Sequence, residues 1–158
     1  MLEVLYEDNH LIAINKKSGD IVQSDKTGDT PLSDFVKAYI KKKYKKPGEV
    51  FLGTIHRLDR PTSGIVLYAR TSKALARMNK LFREKQVQKT YWAVVDKPTP
   101  NNSGTLENYL QKNQKQNKSY VTKGENGKHS ILDYNLLKKL DNFYHLEIKP
   151  KTGRHHQI

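Results

Sequence analysis

Apolar and polar positions alternate in some stretches of the chain and form helical stripes in others. Glu3 to Tyr6 and Leu11 to Asn15 read as two strands, with Asp8-Asn9 supplying hairpin-turn chemistry between them. Ile21-Val22-Gln23 reads as a further short strand. Leu32, Phe35, Val36, Tyr39 and Ile40 then recur at i, i+3, i+4, i+7 and i+8, the stripe of one buried helix face. Asp29-Thr30-Pro31 supplies a cap and a first-turn proline for that helix, and Pro47-Gly48 ends it. Val50 to Ile55 leads into a polar loop and the turn Pro61-Thr62-Ser63-Gly64. The apolar run Ile65 to Ala69 follows and reads as a buried strand.

A second helix starts at Thr71 or Ser72, with Ala74, Leu75, Met78, Leu81 and Phe82 as its buried face. Val87 to Val95 is β-rich. Thr105 to Leu110 and Ser119 to Thr122 read as an exposed hairpin, and Gln111 to Lys118 is polar enough to be mobile. Ser130 to Leu140 and Asn142 to Lys149 read as an antiparallel pair. In the second of these, Tyr144, Leu146 and Ile148 alternate with His145, Glu147 and Lys149, giving one buried and one wet face. No internal repeat or interdomain linker is visible, so a single domain over residues 1–158 is expected.

Charge changes the picture more than composition does. The 158 residues are 35% hydrophobic and 28% charged, and 29 Lys and Arg against 16 Asp and Glu leave a net charge of +13. A surplus of that size points to a polyanionic partner, nucleic acid above all. Lys37, Lys41, Lys42, Lys43, Lys45 and Lys46 make the end of the first helix basic. Two readings stand there: a solvated, dipole-matched helix end, or a track for RNA phosphates. The chain has no Cys, so disulfides and thiolate metal sites are excluded. That suits a cytoplasmic protein. Apolar runs fall far short of the roughly 18 residues a membrane span needs, so no membrane segment is expected.

The densest candidate chemistry is His56-Arg57-Leu58-Asp59-Arg60. An Asp between two Args stays ionised. It can then serve as nucleophile, base or stabiliser of a cationic transition state, while guanidinium groups suit phosphate. His155-His156 makes a poor metal site, because adjacent residues on a strand point to opposite faces and no carboxylate cluster or HxxxH spacing accompanies them. No metal is expected.

His56-Arg57-Leu58-Asp59, then Thr62-Ser63-Gly64, then Ala69-Arg70 closely resembles the signature HRLDxxTSGxxxxAK of the RluA-type pseudouridine synthases, with Arg70 in place of the last Lys. Lys16-Lys17-Ser18-Gly19 stands where that family carries Lys-Pro-x-Gly. Lys89 and Tyr91 fit its Lys-x-Tyr strand. Gly153, Arg154, His156, Gln157 and Ile158 match its GRTHQIRVH motif, with His155 in place of Thr. The resemblance implies an α+β fold, a mixed and mostly antiparallel sheet with packed helices, whose C-terminal part is missing.

It also implies roles. Asp59 is the catalytic aspartate. Arg57 helps evert the target uridine and fills its vacated place. Tyr91 meets the base, Arg154 pairs with Asp59, and Ile158 packs beneath the Tyr91 ring. His56 and Lys89, and on guanidinium chemistry Arg60, join Arg57 and Ile158 as RNA contacts. The implied activity converts a uridine of structured RNA, rRNA or tRNA, to pseudouridine without a cofactor. Two other readings stay open: a non-catalytic RNA-binding module, favoured by the shortened C-terminus, and a base-processing hydrolase such as a glycosylase using Asp59.

Overall fold

A computed structural model describes residues 2–124 and 126–158. The chain divides into two compact units, residues 1–86 and 87–158. In the first, the elements are β1 (Val4–Glu7), β2 (Leu11–Lys16), α1 (Leu32–Lys43), β3 (Gly53–Thr54), β4 (Gly64–Ala69) and α2 (Ser72–Arg83). The strands form one antiparallel sheet in the order β1-β2-β4-β3. Ile12 and Ile14 of β2 and Val66 and Tyr68 of β4 are fully buried, and Leu32, Val36 and Ile40 of α1 join them in one core. Each apolar side chain buried in this way contributes roughly 1.5–3 kcal/mol.

The helical stripes hold, with exceptions. Phe35 is 54% exposed, so the buried face of α1 narrows to Leu32, Val36 and Ile40. On β4, Ile65 is exposed and the strand alternates rather than burying both faces. The expected cap of α1 is corrected: Pro31 is the N-cap residue and gives no side-chain bond. The carbonyls of Ile21 and Val22 accept the first helical amides of Leu32 and Ser33 instead. That use of their carbonyls, with Val22 also accepting the Tyr68 hydroxyl, is why residues 21–23 are irregular and not a strand. At α2, Thr71 caps as expected, its hydroxyl accepting the Ala74 amide at 3.1 Å.

The second unit holds β5 (Tyr91–Val95), β6 (Ser103–Asn113), β7 (Lys118–Thr122), β8 (Lys128–Lys139) and β9 (Tyr144–Pro150). They form an antiparallel sheet ordered β5-β9-β8-β6-β7. Leu132, Tyr134, Leu146 and Ile148 are its buried cluster, as the alternation along β9 predicts. The hairpin of β6 and β7 is longer than expected: Gln111 to Asn113 pair with Tyr120 to Lys118 rather than forming a loose loop. Antiparallel sheets with packed helices make this an α+β protein. Among the described residues no helix is long and apolar enough to cross a membrane.

One ion cluster ties the ends of β1, β4 and α1 together. The Glu7 carboxylate, 8% exposed, accepts Lys43 and the Tyr39 hydroxyl on one oxygen, and Arg70 and the Tyr44 hydroxyl on the other. Arg70 also donates to the Asp8 carbonyl and lies over the Tyr44 ring. Burial by itself raises the Glu7 carboxyl, but the hydrogen bonds from Lys43, Tyr44 and Tyr39 outweigh it and hold the group below its usual range. The motif position occupied by Arg70 therefore braces the fold.

Glu7→Gln is expected to lower stability by about 2 kcal/mol in urea unfolding. This is less than the 3–5 kcal/mol of a wholly buried pair, because the Lys43 side stays wet. Because the folded carboxyl titrates below the unfolded one, its contribution is complete above the ordinary value of 4.5 and disappears as pH falls through the folded value. Stability differences between wild type and Glu7→Gln should therefore shrink in acid; a gap that persists there contradicts the assignment.

Candidate active site

The loop from Ile55 to Gly64 joins β3 to β4 and carries the candidate chemistry. Its burial alternates: His56 and Leu58 turn inward and are half-buried, while Arg57 and Asp59 are exposed. Leu58 packs against the core of the first unit. The His56 imidazole accepts the Leu67 amide through Nε2 at 3.0 Å and stacks on Phe82, with ring centres 5.2 Å apart. The His56 ring thus anchors the loop's start to β4 and α2, and Leu58 plugs its middle. Arg57 and Asp59 are the residues left to face outward.

What closes the loop is a buried cation. Lys16 ends β2 opposite Gly64 and is 0% exposed. Its Nζ donates to three carbonyls, those of Lys17 at 3.0 Å, Arg60 at 3.0 Å and Thr62 at 2.7 Å. The Gly19 amide also donates to the Arg60 carbonyl, and the Thr62 amide to that of Asp59. Burial pushes the Lys16 ammonium below the usual lysine range, the charges of Asp20 and Asp59 oppose that, and Arg60 adds to it. The carboxylate of Asp59 is thus close enough for the buried ammonium to feel it. Gly64 has φ +131, which only glycine adopts without strain, so the motif's glycine is needed for the chain to leave the loop into β4.

The expectation that two guanidiniums flank Asp59 changes in one respect. Arg60 forms an ion pair with Asp29 at 2.7 Å, and both side chains are half exposed. Asp29 stands two residues before the N-cap of α1, Pro31, and its carboxylate is taken up by this pair. Lys16 carries one signal of this role in the sequence: it shares the inward parity of Ile12 and Ile14 on β2.

In the second unit, Tyr91 opens β5 opposite Ile148 and packs, half-buried, on the core of that unit. Lys89 precedes the strand, and its Nζ lies 3.8 Å from where a Cβ on Gly153 would sit. The closing motif is a compact turn. Gln157 Oε1 accepts the Arg154 amide and the Thr152 hydroxyl, both at 2.9 Å, while its Nε2 donates to the Ile131 carbonyl at 3.0 Å. Arg154 is exposed and donates through Nε to the His129 carbonyl at 2.8 Å. Ile158 is 58% exposed.

His155 and His156 do not lie on a strand, contrary to the geometry assumed for them. They occupy a turn, with His156 at φ 51, and their rings stack with centres 3.8 Å apart. The His155 Nδ1 lies 2.9 Å from the Ser119 hydroxyl. Among the described residues no three His, Asp or Glu side chains are grouped to hold a metal ion.

A family model described as RNA pseudouridylate synthase matches residues 10–158. The ribosomal large subunit pseudouridine synthase C of Buchnera aphidicola subsp. Acyrthosiphon pisum is 37% identical over 156 residues, covering 98% of this chain and 48% of that protein. The synthase C of Vibrio vulnificus is 35% identical, covering 98% of this chain and 47% of that protein. The chain spans about half the length of the curated relatives it matches. Among solved structures, human RNA pseudouridylate synthase domain containing 4 matches with TM-score 0.80 and 26% identity, covering 98% of this chain and 61% of that one.

Lys16→Met keeps the apolar stem and removes the ammonium. The Arg60 and Lys17 carbonyls keep the amides of Gly19 and Asp20, so the Thr62 carbonyl is the acceptor that loses its donor. A buried acceptor left unsatisfied costs roughly 1–3 kcal/mol, and a loss of that size is expected in urea unfolding. A loss under about 0.5 kcal/mol, the size of an ordinary surface change, contradicts this role.

Proposed function

Because the chain belongs to the RNA pseudouridylate synthase family, we propose that it is catalytic machinery of an enzyme that isomerises a uridine of large-subunit ribosomal RNA to pseudouridine. The observation that carries this reading is the outward pair Arg57 and Asp59 on a loop fixed from beneath by Lys16. The RNA class comes from the curated relatives, which are named as ribosomal large subunit synthases. A cytoplasmic location follows from that substrate.

The reaction breaks the bond between N1 of uracil and C1′ of the ribose, turns the base, and joins C5 to the same C1′. The proton on C5 leaves and N1 gains one, so atoms balance without oxidant, water or cofactor. Asp59 provides the carboxylate. Three routes fit it: attack on C1′, attack on C6 of the base, or assistance to a glycal-like intermediate. A paired base is out of reach, so the nucleotide is everted at a cost of a few kcal/mol. Arg57 enters the gap it leaves. Tyr91 stacks on the base, worth roughly 1–3 kcal/mol, and its hydroxyl relays the C5 proton.

Arg154 completes the catalytic set, Ile158 supports the Tyr91 ring, and His56, Arg60 and Lys89 serve the RNA backbone. Residues 1–158 act in this reading as one catalytic domain. The family's motif pattern supports these roles at the positions it specifies; Arg60, which it leaves open, rests on the affinity of guanidinium for phosphate.

Asp59→Asn is expected to abolish release of tritium from C5-tritiated uridine in large-subunit rRNA while RNA affinity stays within about twofold, a binding change under 0.5 kcal/mol. The assay is run on this chain and on one extended to the length of its relatives. Tritium release by the extended Asp59→Asn protein refutes the role of Asp59. Free uracil in place of retained base identifies a glycosylase, and binding with neither product in the extended wild type identifies a binding module.

A further inference from the structure

From the end of α1, we infer that Lys41, Lys42, Lys45 and Lys46 form a docking surface for the phosphate backbone of RNA. This rests on the reading that the chain acts on RNA. All four are exposed, and among the described residues none of them makes an ion pair. The carboxylate that serves this region is already engaged. Glu7 takes Lys43 and Tyr39 on one oxygen, Arg70 and Tyr44 on the other.

The surface is held in place. The Lys46 amide bonds to the Lys41 carbonyl and the Lys45 amide to the Lys42 carbonyl, closing the helix with a tight turn around Tyr44. Tyr44 itself is anchored to Glu7 and lies under the Arg70 guanidinium. Lys45 sits at φ 48, in the left-handed region where glycine is favoured. A helix end carries about half an elementary charge, far less than these ammonium groups would balance. Crowded on one turn they repel one another, and a polyanion removes that repulsion.

Lysine is a flexible point charge and offers no planar fork to read base edges. The surface therefore supplies affinity and salt dependence, not choice of uridine. Each phosphate contact contributes about 0.7–0.9 to the slope of log K against log salt.

The test measures binding of the 158-residue chain to a large-subunit rRNA transcript across a salt series. The fourfold variant Lys41→Gln, Lys42→Gln, Lys45→Gln, Lys46→Gln is expected to lower the slope by about 1–3 and to weaken binding more than tenfold at low salt. A dispersed control, Lys26→Gln, Lys73→Gln, Lys97→Gln, Lys139→Gln, removes the same charge from other exposed positions. It is expected to change the slope by less than half as much. The paired variants Lys41→Gln/Lys42→Gln and Lys45→Gln/Lys46→Gln, each giving part of the effect, support the inference independently of the fourfold protein.

An unchanged slope in the fourfold variant overturns it, as does an equal fall in the control. Tighter binding of the wild-type chain to phosphatidylserine-containing vesicles than to RNA at the same salt assigns the surface to a membrane and also overturns it. The readout is binding, not turnover. An unchanged slope therefore leaves the role of Asp59 standing, and an active Asp59→Asn enzyme leaves this surface standing.

Discussion

A single ammonium group inside the first unit holds the functional loop in shape. Burying a cation is costly unless its hydrogen bonds are met. Lys16 meets them with the carbonyls of Lys17, Arg60 and Thr62. Those oxygens come from the two chain segments that approach the end of β2, so one side chain satisfies backbone from both. The loop can then be short, turn back through Gly64, and still leave no orphaned acceptor beneath it. Outward placement of Arg57 and Asp59 follows from that closure together with the anchoring of His56 and Leu58.

The second unit solves a similar problem with a neutral group. Gln157 uses both ends of its amide to bind the Arg154 amide, the Thr152 hydroxyl and the Ile131 carbonyl. The irregular Gly-Arg segment is thereby fastened to β8. In each unit an exposed candidate residue, Asp59 in the first and Arg154 in the second, sits on backbone that a neighbouring polar residue satisfies. Such a supporting side chain matters as much as the groups it presents, because the groups of a functional site must be held to a fraction of an ångström.

Much of this was legible in the sequence. The cap at Thr71, the apolar stripe of α2, the alternation along β9 and the motif around Asp59 all follow from local chemistry, and local chemistry is what a sequence displays. Most of the departures are non-local. Residues 21–23 have strand composition, yet their carbonyls are taken by α1 and Tyr68, 46 residues away from Val22. Asp29 has the look of a helix cap but reaches Arg60 on another loop. Lys16 reads as an ordinary polar end to a strand until the loop folds over it. Strand parity puts His155 and His156 on opposite faces, but a left-handed turn at His156 removes that parity. Arg70 looks like a conservative stand-in for Lys at the end of a motif. Its Nη1, bonded to Glu7 and to the Asp8 carbonyl, and its stacking on Tyr44 show that it binds the fold together.

If Lys16 fastens the Asp59 loop, that loop is already rigid in the free protein. Residue-by-residue amide hydrogen exchange reads that rigidity. The Gly19 amide, bonded to the Arg60 carbonyl, and the Thr62 amide, bonded to that of Asp59, are the reporters. The account predicts that both exchange as slowly as the ladder amides shared by β2 and β4. Exchange at the rate of an open loop, with protection appearing only when RNA is added, would contradict it.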